Sequence, residues 1–173
     1  MSEDELDQDR LWEVLRYEPD TGKFFWLKRP GGGARTDLVG KQAGCVNDKN
    51  YRVIMIDSKE YAAHRLAWLY VYGDWPANQI DHINRNRTDN RIVNLREATG
   101  PQNCANAKAR SSRSGLKGAH WNKRYGGKWS ATIHRNRRAQ WLGYFSTAKK
   151  AHTAYCKAAK GVDKEFFYPG THE

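Results

Sequence analysis

Gln79-Ile80-Asp81-His82-Ile83, the polar run Asn84 to Asn90, and then Arg91-Ile92-Val93-Asn94-Leu95-Arg96 decide how this chain is read. Two short stretches carrying apolar residues flank a loop rich in Asn and Arg, the pattern of two strands joined by a structured connection. Thr99 then caps a helix expected to run through Lys108, with Pro101 near its first turn. The order strand, loop, strand, helix puts an acid beside an imidazole at the end of the first strand. Successive side chains of a regular strand point to opposite faces. Asp81 and His82 therefore share a site only if the strand breaks into its loop at this point.

The residue types in this arrangement have definite chemistry. Asp81 is a hard oxygen ligand suited to Mg2+ or Mn2+. A neutral His82 accepts a proton from water near pH 7. Asn103, on the following helix, returns an oxygen ligand to the same metal, and Asn94 hydrogen-bonds the loop backbone and fixes its shape. The candidate catalytic set is thus His82, Asp81, Asn94 and Asn103, with Asp81 and Asn103 as metal ligands. An Asp-His pair and loop asparagines also occur in proteins that catalyse nothing, so the set gains its weight from the rest of the chain.

That weight comes first from charge. The chain has 173 residues and a mass of 20.0 kDa, enough for one ordinary domain or two small ones. Thirty Lys and Arg face nineteen Asp and Glu, a formal charge of +11 and a pI near 9.7. Such an excess calls for a polyanionic partner, and double-stranded DNA is the first candidate. Residues 111–173 carry 13 basic and 3 acidic residues, whereas residues 1–60 carry 10 and 12. The last third therefore holds nearly all the excess and is expected to supply most of the grip on a phosphate backbone. The acidic balance of the first sixty residues suits a scaffold or docking role instead.

Composition excludes other classes. Seven Trp, nine Tyr and five Phe let the chain bury a core, so it is not a disordered basic tail. Cys45, Cys104 and Cys156 lie far apart with no C-x-x-C pair, which supports neither a zinc knuckle nor a disulfide framework. No apolar run approaches the ~18 residues of a spanning helix. Met1 to Arg10 is acidic and lacks the apolar core of a signal peptide. A soluble, cytoplasmic protein with no membrane contact and no obligatory protein partner is expected, a monomer with dimerisation left open.

Upstream of the Asp-His pair, Leu11 to Tyr17 reads as a short helix, Pro19-Asp20-Thr21-Gly22 as a turn and Lys23 to Leu27 as a strand. Pro30 to Arg35 is a flexible loop. Tyr51 to Asp57 is rich in β-formers, with Ser58-Lys59-Glu60 as a hairpin turn and Tyr61 to Tyr72 as a helix ended by Gly73 to Pro76.

Downstream, Ala109 to Gly115 is a linker of small residues. Ala119–Arg124, Lys128–His134 and Ala139–Tyr144 read as three short strands, separated by Gly126-Gly127 and by Asn136-Arg137-Arg138. Ser146-Thr147-Ala148 opens a helix to about Lys160, with Gly161 just past its end and Ala148, Ala151, Ala154, Tyr155 and Ala158 on its apolar face. Alternation packs Trp129, Ala131 and Ile133 on the helix and turns Lys128, Ser130, Thr132 and His134 outward.

His64-Arg65-Leu66-Ala67-Trp68, Asp81-His82-Ile83, Asn90-Arg91, Asn94-Leu95-Arg96 and Gln102-Asn103 resemble the HNH nuclease family, in its phage and intron homing-endonuclease branch, over roughly residues 8–110. The resemblance implies a ββα-metal fold, His82 as general base, Asp81 and Asn103 as metal ligands, and Asn94 as support for the active-site loop. The third motif position is Asn103 rather than His, a variant found in the homing branch. His64 is as readily a structural helix residue as a site residue and stays outside the catalytic set.

Lys117-Gly118-Ala119, Gly127 to Ile133, Trp141 to Phe145 and Ala148 through Tyr155 resemble an AP2 DNA-binding domain over about residues 112–161. In that family the three-stranded sheet lies in the major groove. The DNA-binding set this implies, together with the local charge, is Lys123, Arg124, Lys128, Thr132, His134, Arg135, Arg137, Arg138 and Trp141. Plant members carry arginine where His120 and His134 stand here. Arginine bridges guanine with two parallel bonds and histidine does not, so a GC-rich target is not implied.

The reading is an α+β chain of two domains, residues 1–110 with the ββα-metal HNH nuclease and residues 111–173 with the AP2-like sheet and helix. Its function is metal-dependent hydrolysis of phosphodiester bonds in duplex DNA, of the site-specific homing type, with Mg2+ or Mn2+ as cofactor. The alternative is a DNA-binding regulator without catalysis. An RNA- or ribosome-associated basic protein fits the charge but leaves Asp81-His82 and Asn103 unexplained.

Overall fold

Asp7 caps the first helix. Its carboxylate accepts a hydrogen bond from the Arg10 backbone N–H at 2.7 Å and caps helix α1 (Gln8–Val14). This cap starts the helix three residues earlier than the apolar spacing of Leu11, Val14 and Leu15 suggests. The helix also ends sooner, because Leu15 turns extended and opens β1 (Leu15–Glu18), which pairs antiparallel with β2 (Lys23–Trp26) across the Pro19–Gly22 turn. The computed structural model describes residues 6–28, 38–107, 113–135 and 138–170, without the side chains of Tyr125 and Arg135. The loop at Pro30–Arg35, Arg137 and most of the Ala109–Gly115 linker lie outside the described residues.

Two compact units follow one another, Met1–Glu97 and Ala98–Glu173. In the first, β3 (Cys45–Val46), β4 (Arg52–Ile56) and β5 (Lys59–Ala62) form an antiparallel sheet in that order. Only Asp57 and Ser58 make the β4–β5 turn, both at positive φ (47° and 64°). Such a mirror-image turn matches strand twist, and so Lys59 and Glu60 belong to β5 rather than to the turn. Helix α2 (Ala63–Tyr72) begins two residues later than expected because Tyr61 and Ala62 remain in that strand. β6 (Gln79–His82) pairs with β7 (Leu95–Ala98). Ile92–Asn94 is a single 3-10 turn rather than the start of a strand, so the connection between β6 and β7 is longer than the sequence suggests.

One core holds this unit together. Leu11, Val14, Leu15, Phe24, Ile54, Ile56, Leu66 and Leu69 are sealed from solvent, and Ile80 and Leu95 join them from β6 and β7. The strand that carries Asp81 and His82 is thereby anchored by its own apolar neighbour.

The second unit opens with α3 (Gly100–Asn106), where Gln102 Oε1 accepts from the Thr99 backbone N–H at 2.8 Å in a capping box. β8 (Ala119–Asn122), β9 (Lys128–Arg135) and β10 (Arg138–Phe145) form an antiparallel sheet in the order β10-β9-β8, backed by α4 (Ala148–Asp163). Gly161 lies inside α4 rather than beyond it. The face that packs on the sheet is Ala151, His152, Tyr155 and Ala159, so the buried position is Ala159 where the spacing pointed to Ala158. Ala131 and Ile133 are buried and Trp129 packs against the same core, the face that alternation assigns them. Helix and strand mix in both units, an α+β chain. No helix among the described residues is long and apolar enough to cross a membrane.

Candidate active site

β6 ends at His82, whose carbonyl accepts from the Arg85 N–H at 2.8 Å as the chain turns away through Arg85 at φ 62°. The strand therefore ends directly after the Asp-His pair. Both residues are buried, Asp81 at 5% and His82 at 4% exposure. Asp81 Oδ2 accepts from Arg96 on the paired strand, from Nε at 2.9 Å and from Nη2 at 2.8 Å. This ion pair offsets the cost of burying the carboxylate. Arg96 was quoted from the sequence without a role, and the cross-strand pairing supplies one.

His82 is held by a residue absent from the sequence-derived site. Its Nε2 lies 3.0 Å from Asn90 Oδ1. A side-chain carbonyl can only accept, so the His82 proton sits on Nε2 and Nδ1 is left as the basic nitrogen. Burial pushes the His82 imidazole below its ordinary value, and the Asn90 bond and nearby Asp81 partly restore it. The ring keeps the company of two other aromatic groups. His64 on α2 meets it edge to face with centroids 5.2 Å apart, and Tyr51 lies 6.1 Å away.

Asn90 is itself fixed from behind by the first hairpin. The Tyr17 hydroxyl donates to the Asn90 carbonyl at 2.6 Å. Gly22, at φ +70°, approaches so closely that a Cβ there would fall 2.4 Å from Arg91 N and 2.5 Å from Asn90 C. Only glycine fits that turn and that approach. The N-terminal residues, which the sequence marks only as a scaffold, thus brace the residue that orients His82.

Asn94 does what its place in the loop suggests. Its Oδ1 accepts from Asn84 N at 3.0 Å, and its Nδ2 donates to Asn84 Oδ1 at 3.0 Å and to the Asp89 carbonyl at 2.8 Å. Asp89 adds a second staple, accepting from Asn84 Nδ2 at 2.6 Å and from Arg91 Nε and Nη2 at 2.8 and 2.7 Å. The Arg91 guanidinium pulls the Asp89 carboxyl down to about 2. Asn94 touches the loop rather than His82, so it is a loop fastener. Asn103 lies on α3, in the second unit.

The donors suit a hard divalent cation in type. A carboxylate and an amide oxygen, with waters and phosphate making up the rest, are how Mg2+ is ordinarily held. Among the described residues no group of three or more His, Cys, Asp or Glu is placed to hold a metal. Arg96 shares the Asp81 carboxylate, and its fixed positive charge weakens any cation bound there.

In the second unit, Trp141 lies opposite Thr132 and Tyr144 opposite Ser130, which in turn faces His120. These side chains share the sheet face turned away from α4. Trp141 is 60% exposed and meets Tyr144 at 5.3 Å between ring centroids. Lys123, Arg124, Lys128, His134 and Arg138 are exposed and Thr132 is half-buried. This is a basic surface with an aromatic centre.

No curated protein and no solved structure matches the chain. Residues 61–105, which hold α2, the Asp-His pair, Asn90, Asn94 and Asn103, match the family model of the HNH endonucleases.

Proposed function

We propose that the chain is a metal-dependent endonuclease that hydrolyses phosphodiester bonds in duplex DNA, with the basic second unit placing the cut. The observation that carries this reading is the sealed His82, its Nε2 held 3.0 Å from Asn90 Oδ1 and the Asp81 carboxylate beside it in sequence, within the HNH-matched segment. His82 Nδ1 takes a proton from water, the water oxygen bonds to phosphorus, and the bond to the 3′ oxygen breaks. Asp81 and Asn103 would hold the divalent cation, which when bound stabilises charge on the phosphoryl and leaving oxygens. Homing-type site choice, phage or intron origin and action in the cytoplasm rest on the resemblance of the quoted motifs. The outer sheet face, with Trp141 and Lys128, and the +10 of residues 111–173 are read as an AP2-like DNA contact.

That basic face also favours a second reading, a DNA-binding regulator that cuts nothing. Supercoiled plasmid incubated with Mg2+ or Mn2+, and in parallel with EDTA, separates the two. The nuclease reading expects metal-dependent nicking or linearisation that disappears in His82→Ala while DNA affinity stays. Intact plasmid under all conditions, with tight duplex binding, overturns it in favour of the regulator.

A further inference from the structure

His64 and Asn90 carry the buried side-chain polar atoms that have no partner among the described residues, His64 Nδ1 and Asn90 Nδ2. Both residues touch His82. Leaving a buried polar atom unpaired costs about 1–3 kcal/mol, and such atoms call for an explanation in substrate or strain. Asn90 is explained by its other amide atom, which holds His82. His64 has no such compensation among the described residues.

The form of the His64 imidazole follows from its surroundings. We assign the His64 proton to Nε2, which leaves the enclosed Nδ1 as a lone-pair nitrogen. Nε2 is not among the enclosed partnerless atoms and opens to solvent-accessible space. Burial, with His82 and Arg65 nearby, pushes the ring down to about 3, so it remains neutral at any ordinary pH. The ring lies beside the candidate base, with centroids 5.2 Å apart, and no acceptor for its N–H is found among the described residues.

A phosphodiester supplies acceptors only. Resting on the nuclease reading above, we infer that His64 is a further catalytic residue, its Nε2–H donating to a non-bridging oxygen of the phosphate that His82-activated water attacks. Charge on that oxygen grows as the new bond forms, so the hydrogen bond strengthens toward the transition state. Tyr51 packs against both rings, with centroids 5.2 Å from His64 and 6.1 Å from His82.

The test uses the full chain on supercoiled plasmid with Mg2+, comparing wild type, His64→Phe, His64→Gln and His64→Leu. Phe keeps the aromatic packing and loses the donor. Gln restores an N–H, and Leu matches its bulk without one. Loss of a donor of this kind lowers kcat by about 10²–10³. The expectation is a fall of that size for Phe and Leu with KM unchanged, and partial recovery for Gln. Thermal melts confirm that each variant is folded, and if Phe is not, the Gln–Leu comparison decides. A folded Phe variant as active as wild type, or Gln no better than Leu, overturns the assignment and leaves the nuclease reading standing. A wild-type chain that never cuts overturns both.

Discussion

In the proposed role of His82 as base, only one of its two tautomers serves, and the Asn90 contact bears on which one forms. The 3.0 Å contact from Asn90 Oδ1 holds the proton on Nε2. Asn90→Ala frees the ring to protonate either nitrogen and removes the stop that orients it. The expected outcome is a fall in kcat approaching that of His82→Ala, for which about 10²–10⁴ is typical. Asn90→Asp keeps the acceptor and should retain more activity than Asn90→Ala, measured as plasmid nicking at saturating DNA. Asn94→Ala should act differently. It unfastens Asn84 and Asp89 and so loosens the loop without altering the tautomer. The sequence showed that Asn94 fastens the loop, because an Asn near the end of a polar connection has backbone groups to satisfy. It did not show Asn90, since the contact depends on which face of a buried loop residue meets His82, and the linear order leaves that open.

At the scale of elements, the β1–β2 hairpin and the Asn84–Arg91 loop work as one clamp. Gly22 approaches the Asn90-Arg91 peptide within a distance that no Cβ tolerates, at a φ that other residues rarely adopt. Gly22→Ala should therefore lower both the melting temperature and kcat, whereas Tyr17→Phe, losing one hydrogen bond, should cost only about 1 kcal/mol. A Gly22→Ala protein with unchanged cleavage would show that the hairpin does not brace the site. Asp89 gives the clamp a pH signature. Its folded value, about 2, lies below the ordinary 3.8, so its contribution is present above pH ~4 and is lost as pH falls toward 2. Screened by solvent, it is worth about 1 kcal/mol at most. Asp89→Asn should flatten that acid limb of stability, as followed by thermal melts across the range. The long-range half of this clamp was hidden from sequence: Gly22 reads as an ordinary turn glycine until Asn90, nearly seventy residues on, is packed against it. The local half was legible, because strand ends, caps and turn residues act on their neighbours. Where local reading missed, pairing with Trp26 made Leu15 a strand residue, and hydrogen bonds from Asn94 N to the Arg91 carbonyl and from Leu95 N to the Ile92 carbonyl made Ile92–Asn94 a 3-10 turn.

For the whole molecule, charge separates cutting from holding. Residues 111–173 carry 13 basic against 3 acidic residues, and the exposed ones include Arg124, Lys128 and Arg138. A chain shortened to residue 110 is a poor test of that division, since α3, which bears Asn103, belongs to the second compact unit and packs there through Ala105 against Phe166. Such a truncation removes the packing of a proposed metal-ligand helix along with the basic surface. Substitution in the full chain avoids this. If about six to eight phosphates are neutralised, log affinity falls with log salt at a slope of roughly −5 to −7. Replacing Arg124, Lys128 and Arg138 by Ala should make that slope shallower by up to about 3, about equally on target and random duplexes, because phosphate contacts carry no sequence information. Trp141 is uncharged and stands exposed on the outer sheet face. Trp141→Ala should weaken binding by a similar factor at every salt concentration and leave the slope alone. Binding isotherms at several salt concentrations give both numbers, and nicking at saturating DNA gives the third. Neither variant should change that saturated rate, since neither alters His82 or the groups that hold it. A triple variant with the wild-type salt slope would place the phosphate contacts elsewhere, and one whose saturated rate collapses would mean that the basic unit shapes the chemistry as well as the grip.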